Sequence, residues 1–377
     1  MKNLIVVVLL MSLFACTQQE KKTAQLIPAD NFKKEVDGKP VNLYTLKNNK
    51  GMVTQITNYG GKVVNLWVPD KDGNFGDVVL GFNTIDEYLT TNEIYFGALI
   101  GRYGNRIAEG QFSIEETTYT LAQNDGPNSL HGGIKGYNKV VWDAEQPDEQ
   151  TLILTYHSPD GEEGFPGNLD IKVKYQLTQN NGLKIEYRAT TDKATPVNLT
   201  NHSFFNLSGA GNGTIKDHLV QINADAYTPV DEHLIPTGEI APVEGTPMDF
   251  RQLTAVGKRI SDNFEQLKRG NGYDHNWVLN RGKSLFEAAK VKEPQTGRIM
   301  KVFTNEPGIQ FYTGNFLNGK VKGKEGVPYL FRGALCLETQ HFPDSPNKPE
   351  FPSTILEPGK EYYSVCIYEF STTKEAN

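Results

Sequence analysis

Apolar and polar residues alternate with a period of two along much of this chain, and turn-forming clusters cut the alternation into short lengths. Residues 41–46 and 52–57 flank Lys47-Asn48-Asn49-Lys50-Gly51, and residues 61–68 run into Pro69-Asp70-Lys71-Asp72-Gly73. Residues 111–114 and 118–121 flank Glu115-Glu116-Thr117, which predicts a hairpin. Residues 151–157, 169–176 and 183–190 read as a meander with turns at Pro159-Asp160-Gly161 and Asn180-Asn181-Gly182. Residues 285–291 and 298–303 form a further pair around Glu293-Pro294-Gln295-Thr296-Gly297. Helical periodicity is brief, at residues 84–89 and 253–260. So many short strands with so few helices between them predict an all-β fold of antiparallel sheets packed face to face.

The first residues do not fit that pattern. Lys2 precedes an apolar run over residues 4–14, broken only by Ser12, and Ala15-Cys16 leads into Thr17-Gln18-Gln19-Glu20-Lys21-Lys22. The run is too short to span a bilayer, which takes about 20 apolar residues. It fits a secretory signal peptide. Leu13-Phe14-Ala15-Cys16 resembles a bacterial lipoprotein box with lipid on the Cys16 thiol. The expected division is therefore a signal peptide over residues 1–15, a polar tether over 16–30 and one β domain over 31–377. Such a chain sits on the periplasmic side of a bacterial membrane, by default the outer membrane, held by its lipid anchor only. Cys336 and Cys366 lie in apolar stretches and read as buried thiols, with a single bridge as the alternative.

Composition narrows the function classes. With 38 Lys and Arg against 45 Asp and Glu, the net charge of −7 argues against nucleic acid, whose binders neutralise phosphates with clustered cations. No phosphate-binding loop, zinc helix or nucleophile elbow is present, and none of the seven histidines pairs at metal-ligand spacing.

Four stretches hold polar residues where a β core would not want them. Gly101-Arg102-Tyr103-Gly104-Asn105-Arg106-Ile107 sets two arginines and an asparagine among glycines. Asn128-Ser129-Leu130-His131-Gly132-Gly133 exposes a histidine in a bending loop. In the stretch from Asn198 to Leu207, strand alternation puts Asn198, Thr200, His202 and Phe204 on one face, and histidine exchanges protons near neutrality. In Leu337-Glu338-Thr339-Gln340-His341-Phe342-Pro343, Glu338 ends an apolar strand, where burial would raise its pKa and suit it to general-base work. Tyr273-Asp274-His275-Asn276 and Pro307-Gly308-Ile309-Gln310-Phe311-Tyr312-Thr313-Gly314-Asn315 mix aromatic and hydrogen-bonding groups, as sugar sites do. Taken singly, each also has an ordinary structural reading.

Together and in this order, these stretches resemble the aldose 1-epimerases, the galactose mutarotases, over residues 41–370. The resemblance implies a large antiparallel β supersandwich with an open sugar cleft. It implies an isomerase that interconverts the α and β anomers of free hexoses such as glucose and galactose. It implies no cofactor and no metal, and a monomer or homodimer. By position, Glu338 becomes the general base and His202 the general acid. Asn105, Arg106, His131, Asp274 and Gln310 would hold the sugar hydroxyls. Phe204 stands where the family usually has Tyr, and Tyr103-Gly104 where it has Val-Ala.

The chemistry agrees. The anomeric hydroxyl must lose a proton while the ring oxygen gains one, so a base and an acid must flank that pair of atoms. On this reading the rate rises with pH as Glu338 ionises and falls as His202 loses its proton. His131 is the alternative acid, since residue type alone does not rank the two histidines. A glycoside hydrolase using Glu338 with Asp274 is the competing enzyme class. A lipid-anchored sugar-binding protein without turnover is the non-enzymatic one.

Overall fold

The computed structural model describes residues 21–280 and 284–374; Cys16 and the apolar run before it lie outside them. The alternation becomes sheets. Leu169–Leu177 buries Leu169, Ile171, Val173, Tyr175 and Leu177 and leaves Asp170 and Lys172 in water. It is one strand of a nine-stranded sheet. In spatial order the strands are Asp143–Asp148, Thr151–Ser158, Leu169–Leu177, Gly182–Thr191, Tyr362–Thr372, Arg298–Thr304, Phe286–Lys292, Leu219–Ile222 and Thr254–Ala255. The strand from Tyr362 to Thr372 pairs with Gly182–Thr191 on one side and Arg298–Thr304 on the other, antiparallel to both.

A five-stranded sheet runs in the order Ala241–Pro242, Ala224–Thr228, Asp274–Leu279, Gly308–Tyr312, Cys336–Gln340. A four-stranded sheet joins Leu43–Lys47, Val53–Thr57, Lys62–Pro69 and Phe75–Asp77. Tyr175, Ile185 and Tyr368 from the large sheet, Trp277, Phe311 and Leu337 from the second, and Ile56, Val63 and Leu66 from the third share one buried apolar cluster. Face-to-face packing of this kind is how sheets cover their apolar sides. No helix among the described residues is long and apolar enough to cross a membrane.

The expected helix near residue 84 forms as Ile85–Thr90. The Thr84 hydroxyl caps it by accepting the Glu87 N–H. The helix expected over 253–260 does not form. There the Val256 N–H donates to the His218 carbonyl and the Gly257 N–H to the Lys216 carbonyl, so pairing to a neighbouring segment replaces helical bonds. What results is a short strand, Thr254–Ala255, and a 3-10 turn, Val256–Lys258. A short helix forms instead at Glu265–Arg269.

Part of the polar stretch after residue 20 lies on the body. The Lys22 carbonyl accepts from Phe75 N–H, and the Gln55 side-chain amide bonds both backbone groups of Ile27. Cys336 and Cys366 are buried and unbridged.

Candidate active site

Two faces of the five-stranded sheet do different work. Trp277, Ile309, Phe311 and Leu337 point to the core. Alternation then turns Asp274, Gln310, Tyr312, Cys336 and Glu338 to the opposite face, where Gln310 stands directly across from Glu338 and Asp274 across from Tyr312. Glu338 sits in the middle of its strand, Cys336–Gln340, rather than at its end. It is only 1% exposed.

The opposing wall comes from another part of the chain. The strand Thr200–His202 pairs with Ala98–Ile100, which brings His202 over Glu338 with Nε2 3.6 Å from Oε1. The His202 ring is flanked by near-parallel rings of Phe204, at 4.8 Å, and Tyr95, at 5.7 Å. Its Nδ1 lies 3.5 Å from the Cys336 thiol. Phe204 thus supports the imidazole by stacking, which needs no phenolic hydroxyl.

The two loops are locked to each other. Asn105 and His131 both adopt left-handed backbone, with φ of 65° and 52°. The Asn105 carbonyl accepts the His131 N–H at 3.0 Å, and the Asn105 N–H donates to His131 Nδ1 at 3.3 Å. With Nδ1 accepting, the neutral ring carries its proton on Nε2. Arg106 is fixed by Asp125, Nε to Oδ2 at 2.7 Å, and its own N–H donates to Asn105 Oδ1. Gln310 Nε2 donates to Asp274 Oδ1 at 2.8 Å.

Asn105, Arg106, His131, His202, Asp274 and Glu338 line one cleft of about 200 Å³. That is small beside the roughly 300–1,000 Å³ of drug-sized sites. A roomier hollow of about 670 Å³ beside Trp67 holds the Asp77–Lys324 ion pair but no histidine, and that ammonium is tied to Asp77 and to the Val64 and Val79 carbonyls, so it is chemistry and not size that marks the site. Gln310 is not on the cleft wall. It stands behind Asp274 with its Oε1 unpartnered, as is Oε2 of Glu338. Arg102 faces away and bonds Pro166 O, Gly167 O and Ser158 Oγ. His275 points to the aromatic side of its sheet, and His341 is bound to Glu306 at 2.6 Å, so neither reaches the cleft.

Burial governs the charges. It raises the Glu338 carboxyl well above its ordinary range, with a further rise from Asp274 and a counteracting pull from Arg106. Asp274 is raised chiefly by burial, against the pull of Arg106 and the Gln310 hydrogen bond. Burial lowers His202 to about 3, with Lys62 adding to the effect. His131 is lowered by burial, His202 and Arg106. Both histidines are therefore neutral near pH 7, and the proton of the His202–Glu338 pair favours Glu338.

Ligating atoms of His131, His202 and Glu338 lie within 4.8 Å of one another, close enough to consider a divalent cation. The Nδ1 lone pair of His131 is already taken by Asn105, however, which turns an Nε2 proton and not a lone pair to the cleft. Arg106 adds a fixed positive charge beside the set. The donor set fits hydroxyl groups better than a metal ion.

Sequence reading did not single out Asn92, Glu93, Tyr95, Leu130, Tyr312 or Phe316, which also line the cleft. Tyr312 was reachable, because it lies two residues from Gln310 and alternation turns both to one face. Asn92, Glu93 and Tyr95 lie in an irregular connection, which has no period to read.

A family model described as aldose 1-epimerase matches residues 42–369. Galactose mutarotase from Sus scrofa is 48% identical over 316 residues, covering 84% of this chain and 90% of the relative. Aldose 1-epimerase from Escherichia coli (strain K12) is 40% identical over 338 residues, covering 89% of this chain and 96% of the relative. Among solved structures, the GalM/aldose epimerase homologue from C. elegans superposes with a TM-score of 0.81 at 30% identity, covering 88% of this chain and 99% of the other.

Proposed function

The chain belongs to the aldose 1-epimerase family, and from that premise we propose how its cleft divides the work of anomer exchange. The protein is an isomerase that interconverts the α and β anomers of aldoses. The observation that carries the residue roles is the facing of His202 and Glu338 at 3.6 Å inside a buried cleft. Glu338 takes the proton of the anomeric hydroxyl while His202 delivers one to the ring oxygen. The C1–O5 bond breaks and leaves an open-chain aldehyde. Rotation about C1–C2 presents the other face of the carbonyl. On closure His202 takes back the O5 proton and Glu338 returns its own to the carbonyl oxygen, so the pair ends as it began.

This cycle needs one proton on the pair, placed alternately on His202 and on Glu338. The empty cleft prefers it on Glu338, which is the arrangement that ring opening leaves behind. Sugar hydroxyls bound to Arg106, His131 and Asp274 would displace water and hold C1 and O5 between the two groups, with Asn105 buttressing the loop and Gln310 orienting Asp274. Fixing reactants in this way converts encounter into a unimolecular step.

Polarimetry on freshly dissolved α-galactose or α-glucose tests the assignment. Wild-type protein should hasten the approach to anomeric equilibrium, and Glu338→Gln should not. Glucose and galactose are the proposed hexose substrates, in a monomer or homodimer. From the pattern of residues 1–16 we further propose a lipid-anchored lipoprotein on the periplasmic side of a bacterial outer membrane, acylated at Cys16. Multiple acyl chains on one cysteine would satisfy the need for more than one anchoring signal.

A further inference from the structure

Lys62 opens the strand Lys62–Pro69 and is 1% exposed. Among the described residues it has no carboxylate partner. Its ammonium makes one hydrogen bond, to the Ile94 carbonyl at 2.7 Å. The rings of Tyr59 and Tyr88 each lie 5.7 Å from it. Burying an ammonium without a counter-ion is unfavourable, and an apolar side chain of similar length would be cheaper to bury. Burial, helped by Lys139, lowers its pKa to about 7. A strand residue that costs stability in this way calls for another role.

Ile94 lies in the connection that carries Asn92, Glu93 and Tyr95 onto the cleft wall. Apart from Lys62, its carbonyl has one other donor, Asn138 Nδ2 at 3.4 Å. The next residue, Tyr95, stacks on His202 at 5.7 Å and meets His131 edge-on at 4.8 Å. Beyond it, the Gly97 carbonyl accepts the Val63 N–H at 2.9 Å and the Gly97 N–H donates to the His202 carbonyl at 3.0 Å. Two consecutive residues of one strand, Lys62 and Val63, therefore clamp the wall on either side of Tyr95. We propose that Lys62 is a positioning residue for the acid–base pair: its ammonium holds the Ile94 carbonyl, and through it Tyr95, against His202.

The charge acts as well as the hydrogen bond. Lys62 adds to the burial that lowers the proton affinity of His202; this disfavours the imidazolium that ring opening uses, so it is the hydrogen bond to the wall, and not the charge, that supports kcat. The titratable groups around Lys62 are Tyr59, Tyr88 and Lys139, and those around His202 are Glu338, His131, Cys336, Tyr95 and Tyr312.

The inference rests on the role proposed for His202, and the experiment separates the two. Lys62→Met keeps the stem and removes donor and charge; Lys62→Gln keeps an N–H donor without the charge. Each is compared with wild type by thermal melting and by polarimetric kcat and KM across pH. Lys62→Met should melt at or above the wild-type temperature, with kcat lowered at least about fivefold and KM within about twofold. The limb of the pH profile that belongs to His202 should move up in both variants, because a like charge has gone. Lys62→Gln should recover part of kcat. Wild-type kcat and an unmoved limb in Lys62→Met would overturn the proposal. Should Lys62→Met fail to fold, an unmoved limb in Lys62→Gln does the same. His202→Asn, measured alongside, isolates the premise: full activity there removes His202 as the acid, while an inactive His202→Asn beside indifferent Lys62 variants removes Lys62 alone.

Discussion

Glu338→Gln separates the chemistry of this carboxyl from its contribution to stability. Burial raises the Glu338 carboxyl well above its ordinary range; the residue is 1% exposed, and its Oε2 has no partner among the described residues. A glutamine there has the same shape and, like the protonated carboxyl, no charge. The gap in proton affinity sets the populations. Burial lowers His202 to about 3 and raises Glu338 well above its ordinary range, so the proton of the pair favours Glu338. The tautomer with carboxylate and imidazolium is then the minority among the singly protonated pairs. Replacing Glu338 removes even that minority. The rate should fall by at least about 10²-fold, the lower end for positioned acid–base groups.

The same geometry reverses the owners of the pH limbs expected from residue type. Adding a second proton to the pair charges His202, so the acid limb is its own. Removing the last proton ionises Glu338, so the alkaline limb follows the carboxyl. The values belong to the coupled pair, not to isolated groups. Glu338→Gln should lose the alkaline limb. It should also gain stability relative to wild type as pH rises above 4.5. A carboxyl whose folded pKa is raised binds more protons folded than unfolded, and wild type loses that stability as pH climbs through the folded value. Polarimetry and melting curves from pH 4 to 9 measure both. A rate within about tenfold of wild type, or an alkaline limb that survives, would refute the assignment.

His202→Asn keeps a hydrogen-bond donor but delivers no proton, so it should lose at least about 10²-fold and its acid limb with it. If instead His131→Asn is inactive and His202→Asn retains both rate and limb, the acid is His131. Arg106→Ala strips the half-buried Asp125 and the cleft of their cation, and losing a charged hydrogen bond to the sugar costs roughly 1–3 kcal/mol, so KM should rise about 5- to 150-fold in saturation kinetics. Asp274→Ala should weaken sugar binding similarly and, by removing a charge that raises Glu338, move the alkaline limb down. Cys16→Ser should release the chain into the soluble fraction of detergent-free lysates; equal partition with wild type would remove the anchor.

Much of the fold could be read from the chain because period-two alternation is local. The segment read as 169–176 is Leu169–Leu177, and the hairpin around Glu115 closes with Gln111–Ile114 paired to Thr117–Thr120. The segment at 253–260 misled because partners distant in sequence, Lys216 and His218, compete for its N–H groups. In the site, Glu338, His202, His131, Asn105, Arg106 and Asp274 were legible as polar residues in apolar or glycine-rich settings, and they converge on one cleft. What stayed hidden was relational. Gln310 stands behind Asp274 because a neighbouring strand puts it there, and Lys62 in a strand pattern looks like any solvated lysine. The low proton affinity of His202 comes from burial, with Phe204 on the same alternating face and Tyr95 brought from a separate connection that no local spacing records.

The place of Tyr362–Thr372 between Gly182–Thr191 and Arg298–Thr304 has a consequence for how the molecule is made. Until that strand is synthesised, the large sheet exists only as two fragments, each with a bare edge of unpaired backbone groups. The ribosome must therefore deliver nearly the whole chain before the sheet can close. That delay leaves two sticky edges waiting, each open to pairing with another chain, so truncation ahead of Tyr362 should yield aggregates.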